Sequence, residues 1–117
     1  MAKILIVEDE PDALQLLRWS LEEQGHEVLG AKNAQAALAI GRSFQPDVLV
    51  TDYFLQGQLN GLDVIEQLRG ANPKLRVILV TGLIKNALTE EIRRLHDVPV
   101  LSKPFDLKRL NELIARR

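Results

Sequence analysis

The sequence predicts an α/β fold: a doubly wound, five-stranded parallel sheet of (βα)5 pattern with helices on both faces. Three observations predict it. Short runs rich in Val, Ile and Leu recur along the chain without polar alternation, as strands covered on both faces do. Longer amphipathic segments separate them, at lengths that suit crossover helices. Right-handed crossovers then gather the strands into one sheet.

The first strand is Lys3–Val7, and the helix after it runs from Pro11 to Gln24. Pro11 suits the first helical position, and Gly25 suits the residue just past the end. In this helix Leu14, Leu17 and Leu21 share one side at about 100° per residue, which should face the sheet. Leu16 lies off that side, and Trp19 lies nearly opposite it. These two are read either as scattered surface hydrophobes or as a docking face for a partner helix. The second strand is Glu27–Ala31, and Asn33 caps a helix over Ala34–Phe44. The third strand, Asp47–Thr51, precedes a helix over Leu62–Gly70. The fourth, Arg76–Thr81, precedes a helix over roughly Asn86–Leu95. The fifth, Pro99–Leu101, precedes a helix over Leu107–Ala115 with Asp106 as its cap.

A length of 117 residues fits one domain, 1–117, with one hydrophobic core. Linkers, repeats and low-complexity stretches are absent, so no effector domain is expected. Fifteen basic and 16 acidic side chains give a net charge of −1, which argues against nucleic acid or an anionic membrane as partner. The absence of cysteine excludes disulfides and thiolate zinc sites. The apolar run Ile4–Val7 is too short for a signal peptide or a membrane span, so a cytoplasmic location is expected. His26 and His96 are too far apart in the sequence to suggest a metal site, and both are expected to be solvated. Arg93, Arg94, Arg116 and Arg117 are too few to indicate nucleic-acid binding.

The chemistry-bearing residues sit at strand ends. Glu8 and Asp9 follow the first strand, and Asp52 follows the third. In open α/β sheets, ligands bind beyond the carboxyl ends of the strands, where the winding reverses. If strands one and three are neighbours, these carboxylates converge and repel. A hard divalent cation relieves that repulsion, and Mg²⁺ fits, because it takes oxygen ligands and is commonly bound with phosphate. Thr81 closes the fourth strand and Lys103 follows the fifth, adding a hydroxyl and an ammonium that can bind phosphoryl oxygens. Phosphoryl transfer needs a metal, an in-line nucleophile and positive charge on the equatorial oxygens. The nucleophile would be the Asp52 carboxylate. Each residue alone is ordinary: an acid after a strand is usually a cap or a turn residue. The order of the set along successive strand ends carries the signal.

That set resembles the response-regulator receiver family of two-component signalling, over essentially the whole chain. Ile4-Leu5-Ile6-Val7-Glu8-Asp9-Glu10-Pro11 is similar to its opening acidic motif, and Pro46-Asp47-Val48-Leu49-Val50-Thr51-Asp52 to its phosphoacceptor strand. Val77-Ile78-Leu79-Val80-Thr81-Gly82 and Ser102-Lys103-Pro104-Phe105 are similar to its remaining signatures. The resemblance implies a flavodoxin/CheY-like strand order of 2-1-3-4-5. It implies that Asp52 accepts a phosphoryl group from a histidine kinase or histidine phosphotransfer protein. It makes Asp9 and Asp52 direct Mg²⁺ ligands, Glu8 a ligand through water, and the Phe54 backbone carbonyl a third protein ligand. Thr81 and Lys103 would hold the phosphoryl oxygens, with a cis Lys103–Pro104 bond. Partners would dock near Ala13, Leu16, Pro104 and Phe105. Such a domain catalyses its own phosphorylation and dephosphorylation, and is not otherwise an enzyme.

Some positions depart from the family pattern. Gln56 stands where the family places Pro, and Gly61 comes nine residues after Asp52 rather than eight. The segment Asp52–Gly61 is more similar to receivers attached to sensor histidine kinases. Val100 stands where the family tends to place an aromatic.

The alternative is a phosphorylation-independent scaffold of the same fold, which has no need of five converging polar groups. A nucleotide-binding reading lacks a Gly-rich phosphate loop after the first strand. A phosphatase reading lacks a second acid near Asp52, since position 54 is Phe. Phe54 and Leu83 are expected to border the phosphate and exclude the hydrolytic water, which predicts a long-lived phosphorylated state. Leu83→Glu should therefore change the rate of phosphate loss in a release assay, and an unchanged rate would contradict the expectation.

Overall fold

The computed structural model describes residues 2–82, 97–103 and 106–115. Five strands form one parallel sheet in the order β2-β1-β3-β4-β5. The strands are β1 Lys3–Val7, β2 Glu27–Ala31, β3 Val48–Asp52, β4 Arg76–Thr81 and β5 Val100–Ser102. The described helices are α1 Pro11–Glu23, α2 Ala34–Phe44, α3 Gly61–Ala71 and a C-terminal helix, Leu107–Ala115. The helix expected over Asn86–Leu95 lies outside the described residues. So do Leu83, Arg93, Arg94, His96, Pro104, Phe105, Arg116 and Arg117.

The missing polar alternation is explained by burial on both faces. Leu5, Val7, Leu49, Val77 and Leu79 point to one side and meet α2 and α3 through Ala37, Leu38, Val64, Ile65 and Leu68. Ile4, Ile6, Val48, Val50, Ile78 and Val80 point to the other and meet α1 and the C-terminal helix through Leu17, Leu21, Leu110, Leu113 and Ile114. Burying each such side chain contributes about 1.5–3 kcal/mol. The reading of α1 holds: Leu17 and Leu21 are buried, Leu14 packs against the same cluster, and Leu16 and Trp19 are exposed.

Element ends moved by one residue where a hydrogen bond or a missing donor decided them. The third strand was expected over Asp47–Thr51 but runs from Val48 through Asp52, because Asp52 still pairs with Val80 across the sheet. At its other end the Asp47 carboxylate turns back to accept the Lys3 N–H at 2.9 Å. The fifth strand begins at Val100 rather than Pro99. Pro99 has no N–H to give, although its carbonyl accepts from Leu79. Helix α3 starts at Gly61 rather than Leu62, fixed by a capping box in which Asn60 and Asp63 bond each other's backbone N–H. Gly25 takes φ 89° just after α1, and Asn33 caps α2 through the Ala36 N–H, both as read from the sequence.

His26 is not simply solvated as expected. It is half-buried, and its Nδ1 accepts the Ala2 N–H at 3.0 Å. Burial lowers its pKa below the ordinary value, which keeps that nitrogen available as an acceptor.

Two arginines brace the lower end of the sheet. Arg76 donates to the carbonyls of Leu113 and Ile114 at the end of the C-terminal helix, where a cation is favoured. Arg69 of α3 forms a bidentate pair with Asp97 and also bonds the Leu75 carbonyl, tying α3 to the segment that leads into β5. Loss of the α3 cap in Asn60→Ala should cost about 1 kcal/mol in chemical denaturation. Gly70→Ala, where an added methyl meets nothing within 4 Å, should instead gain roughly 0.5 kcal/mol.

Candidate functional site

Because all five strands are parallel, their C-terminal ends share one edge of the sheet. β1 and β3 are neighbours, and the winding reverses between them, so the crevice predicted by the topology opens there. Glu8 and Asp9 follow β1 directly, and Asp52 is the last residue of β3. Carboxylate oxygens of Glu8, Asp9 and Asp52 lie within 4.8 Å of one another. Glu8 and Asp52 are buried, 2% and 7% exposed, while Asp9 is half-exposed. The convergence expected from the sequence is therefore present.

Lys103 enters from the end of β5. Its ammonium donates to Glu8 Oε1 at 2.7 Å and to Asp52 Oδ2 at 2.5 Å. Its backbone N–H donates to the Thr81 carbonyl at 2.9 Å, which seats the lysine beside the end of β4. Thr81 itself is buried. The second Asp52 oxygen, Oδ1, accepts the Phe54 N–H at 3.3 Å. Glu8 Oε2 accepts the Glu10 N–H at 3.1 Å. For Phe54, the contact to Asp52 is thus made by its N–H, and its ring stands 54% exposed against Tyr53 in an edge-to-face pair. Val100, in the place of the family's aromatic, packs half-buried against the α2/α3 cluster.

The electrostatics follow from burial. Desolvation raises the Glu8 pKa above its ordinary value, and the bonds from Lys103 and Glu10 offset this only in part. Burial alone would lower the Lys103 pKa, but its hydrogen bonds to Asp52 and Glu8 outweigh that and raise it. Lys103 is therefore an ammonium throughout the neutral range. Among the described residues, three clustered carboxyl groups face one ammonium, so acidic groups are in excess at the strand ends. An oxygen-ligated divalent cation matches that donor set in charge and chemistry.

A separate cavity of about 550 Å³ opens at the opposite end of the sheet, between α2 and α3 near Pro46, Leu68 and Leu75, and contains none of these carboxylates. Site chemistry and this cavity are in different places, and the residues decide in favour of the strand ends.

Two residues at the site were not singled out from the sequence for what they touch. Thr51 donates its hydroxyl to the Asp52 carbonyl at 2.9 Å, and Gly61 lies against the same carbonyl. A hydroxyl inside the run Val48–Val50 was the available signal for Thr51. For Gly61 it was the shifted spacing from Asp52.

A family model for the response regulator receiver domain matches residues 4–115. The chain belongs to that family. Receiver domains are the phosphoacceptor signalling modules of two-component systems and interact with histidine kinases or phosphotransfer proteins. The chain is 36% identical over 123 residues to Protein PilH of Pseudomonas aeruginosa, covering 98% of this chain and 99% of PilH. It is 34% identical over 119 residues to the probable transcriptional regulatory protein TcrX of Mycobacterium tuberculosis, covering 97% of this chain but 50% of TcrX. The chain thus spans half the length of that relative. Among solved structures, a response regulator receiver domain protein from Clostridium thermocellum superposes with a TM-score of 0.86 at 29% identity, over 97% of this chain and 91% of that one.

The raised Glu8 pKa of this receiver domain has a stability consequence. A folded value above 4.5 means that the folded state holds the proton more tightly. The contribution is then fully favourable below about 4.5 and is lost as pH rises through the folded value. At neutral pH, above the ordinary value, the burial of Glu8 therefore weakens the fold. Glu8→Gln should melt at a higher temperature than the parent at pH 7 without divalent cations, with the difference shrinking toward pH 4.

Proposed function

We propose that Asp52 is the residue that accepts the phosphoryl group. The observation that carries this is a buried carboxylate ending β3, clustered with Glu8 and Asp9 and bonded through Oδ2 to the Lys103 ammonium. Asp9 and Asp52 would ligate Mg²⁺, with Glu8 acting through water and the Phe54 carbonyl completing the protein ligands. When bound, the cation would offset charge on the phosphoryl oxygens and the entering carboxylate.

The rest of the mechanism falls to the chain's own residues. A carboxylate oxygen of Asp52 forms the new P–O bond as the P–N bond of a phosphohistidine breaks. The electron pair of that bond returns to an imidazole already protonated on its other nitrogen, which leaves neutral. Lys103 binds a phosphoryl oxygen as the charge of Asp52 is taken up in the acyl phosphate, and Thr81 donates its hydroxyl to another. Phe54 N–H holds Oδ1 in place. In dephosphorylation, a separate step, water attacks phosphorus as the P–O bond to Asp52 breaks, inorganic phosphate leaves and the carboxylate is restored. The domain thereby catalyses its own phosphorylation and dephosphorylation.

The donor would be a histidine kinase or histidine phosphotransfer protein docking near Ala13, Leu16, Pro104 and Phe105. Leu16 and its neighbour Trp19 are exposed on α1, which supports an apolar helix–helix contact there. Gln56 and the position of Gly61 support a receiver of the hybrid-histidine-kinase type. A cytoplasmic location fits these partners, and no described helix is long and apolar enough to cross a membrane.

Incubation with a small phosphoramidate and Mg²⁺ tests the assignment. The parent chain should gain the mass of one phosphoryl group, and Asp52→Asn or removal of Mg²⁺ by chelation should abolish the gain. An unmodified parent would favour the phosphorylation-independent scaffold instead.

A further inference from the structure

Thr51 is fully buried, and its register partners are Val7 on β1 and Leu79 on β4, both in the α2/α3 cluster. Its predecessors in β3 are Val48, Leu49 and Val50. Valine has nearly the shape of threonine and would suit this apolar niche without a hydroxyl to satisfy. A neutral hydrogen bond contributes only about 1 kcal/mol net, so packing gives little reason for threonine here. What the hydroxyl does is donate to the backbone carbonyl of Asp52 at 2.9 Å.

Gly61, at the start of α3, approaches the same carbonyl. A methyl group on Gly61 would fall 2.2 Å from the Asp52 oxygen and 3.0 Å from both the Asp52 carbonyl carbon and Tyr53 Cα. Those are backbone atoms, which have little freedom to yield. The Gly61 N–H also donates to the Tyr53 carbonyl at 2.7 Å. The two peptide groups that follow the acceptor are therefore held together from the α3 side.

We infer that Thr51 and Gly61 are positioning residues for the phosphoacceptor, fixing the Asp52 carbonyl and with it the reach of the carboxylate. This rests on Asp52 being the acceptor. An aspartate side chain has two torsions, so a fixed backbone leaves its oxygens few positions. Lys103 and the Phe54 N–H then select among them. Precision matters because displacement of a reacting atom by about 1 Å costs on the order of 100-fold in rate.

The test is phosphorylation by a small phosphoramidate, followed by intact mass at varied donor and Mg²⁺ concentrations. Thr51→Val should lower the maximal rate about tenfold, with half-saturating donor and Mg²⁺ concentrations not raised and the melting temperature not reduced. Thr51→Ser keeps the hydroxyl and should return the rate to within about twofold of the parent. Gly61→Ala should fall below Thr51→Val, whereas Gly70→Ala, in open space, should match the parent. A Thr51→Val rate within about twofold of the parent overturns the inference. So does a Thr51→Ser as slow as Thr51→Val, or a loss traced wholly to weaker Mg²⁺ binding or lower stability. The parent is read first: if it takes no phosphoryl group, the Asp52 assignment itself fails and this inference falls with it, whereas a parent that reacts beside an unaffected Thr51→Val overturns the inference alone.

Discussion

The Lys103 ammonium is the interaction on which the rest of the site depends. Carboxylates brought within a few ångströms and removed from water repel strongly unless positive charge sits among them. Lys103 bonds Glu8 and Asp52 at once, and so joins the ends of β1, β3 and β5. The lysine is itself placed by a backbone bond to Thr81, which brings β4 into the same arrangement. Four strand ends are therefore coupled through one residue. Its raised pKa is the other face of that coupling: the proton is held because two carboxylates need it.

The sheet makes such a convergence affordable to the fold. Its strands are sealed on both faces by apolar clusters, so the energetic cost of gathering acids at one edge is set against a core that contains few polar groups. The braces at the opposite edge matter for the same reason. Arg76 ties β4 to the C-terminal helix, and Arg69 ties α3 to Asp97 ahead of β5. Both lie far along the chain from the acids, yet they fix the elements that deliver Gly61 and Lys103 to the site.

Most of the architecture was legible because it rests on local rules. Val-, Ile- and Leu-rich runs gave the strands, Asn33 and Gly25 marked helix ends, and acids at successive strand ends marked the crevice. What could not be read depends on contacts between residues distant in sequence. Nothing local shows that Asp47 turns back to Lys3, that His26 accepts from Ala2, or that Arg69 reaches Asp97. Within the site, residue identities were legible and their partners were not. Thr51 reads as ordinary β-propensity until its hydroxyl is seen on the Asp52 carbonyl. The capping box that starts α3 one residue early is a local signal, but its meaning comes from what Gly61 then touches.

Trp19, exposed on the outer side of α1, has a consequence of a different kind. It is the single tryptophan in the chain, beside one tyrosine, so near-ultraviolet emission above the tyrosine band comes from one indole in water. It lies eight residues past Pro11, or about 12 Å further along the helix axis. The molecule thus carries a built-in optical label on α1, sensitive to whatever dehydrates that helix face. A blue shift would report a bound neighbour directly, without any dye attached.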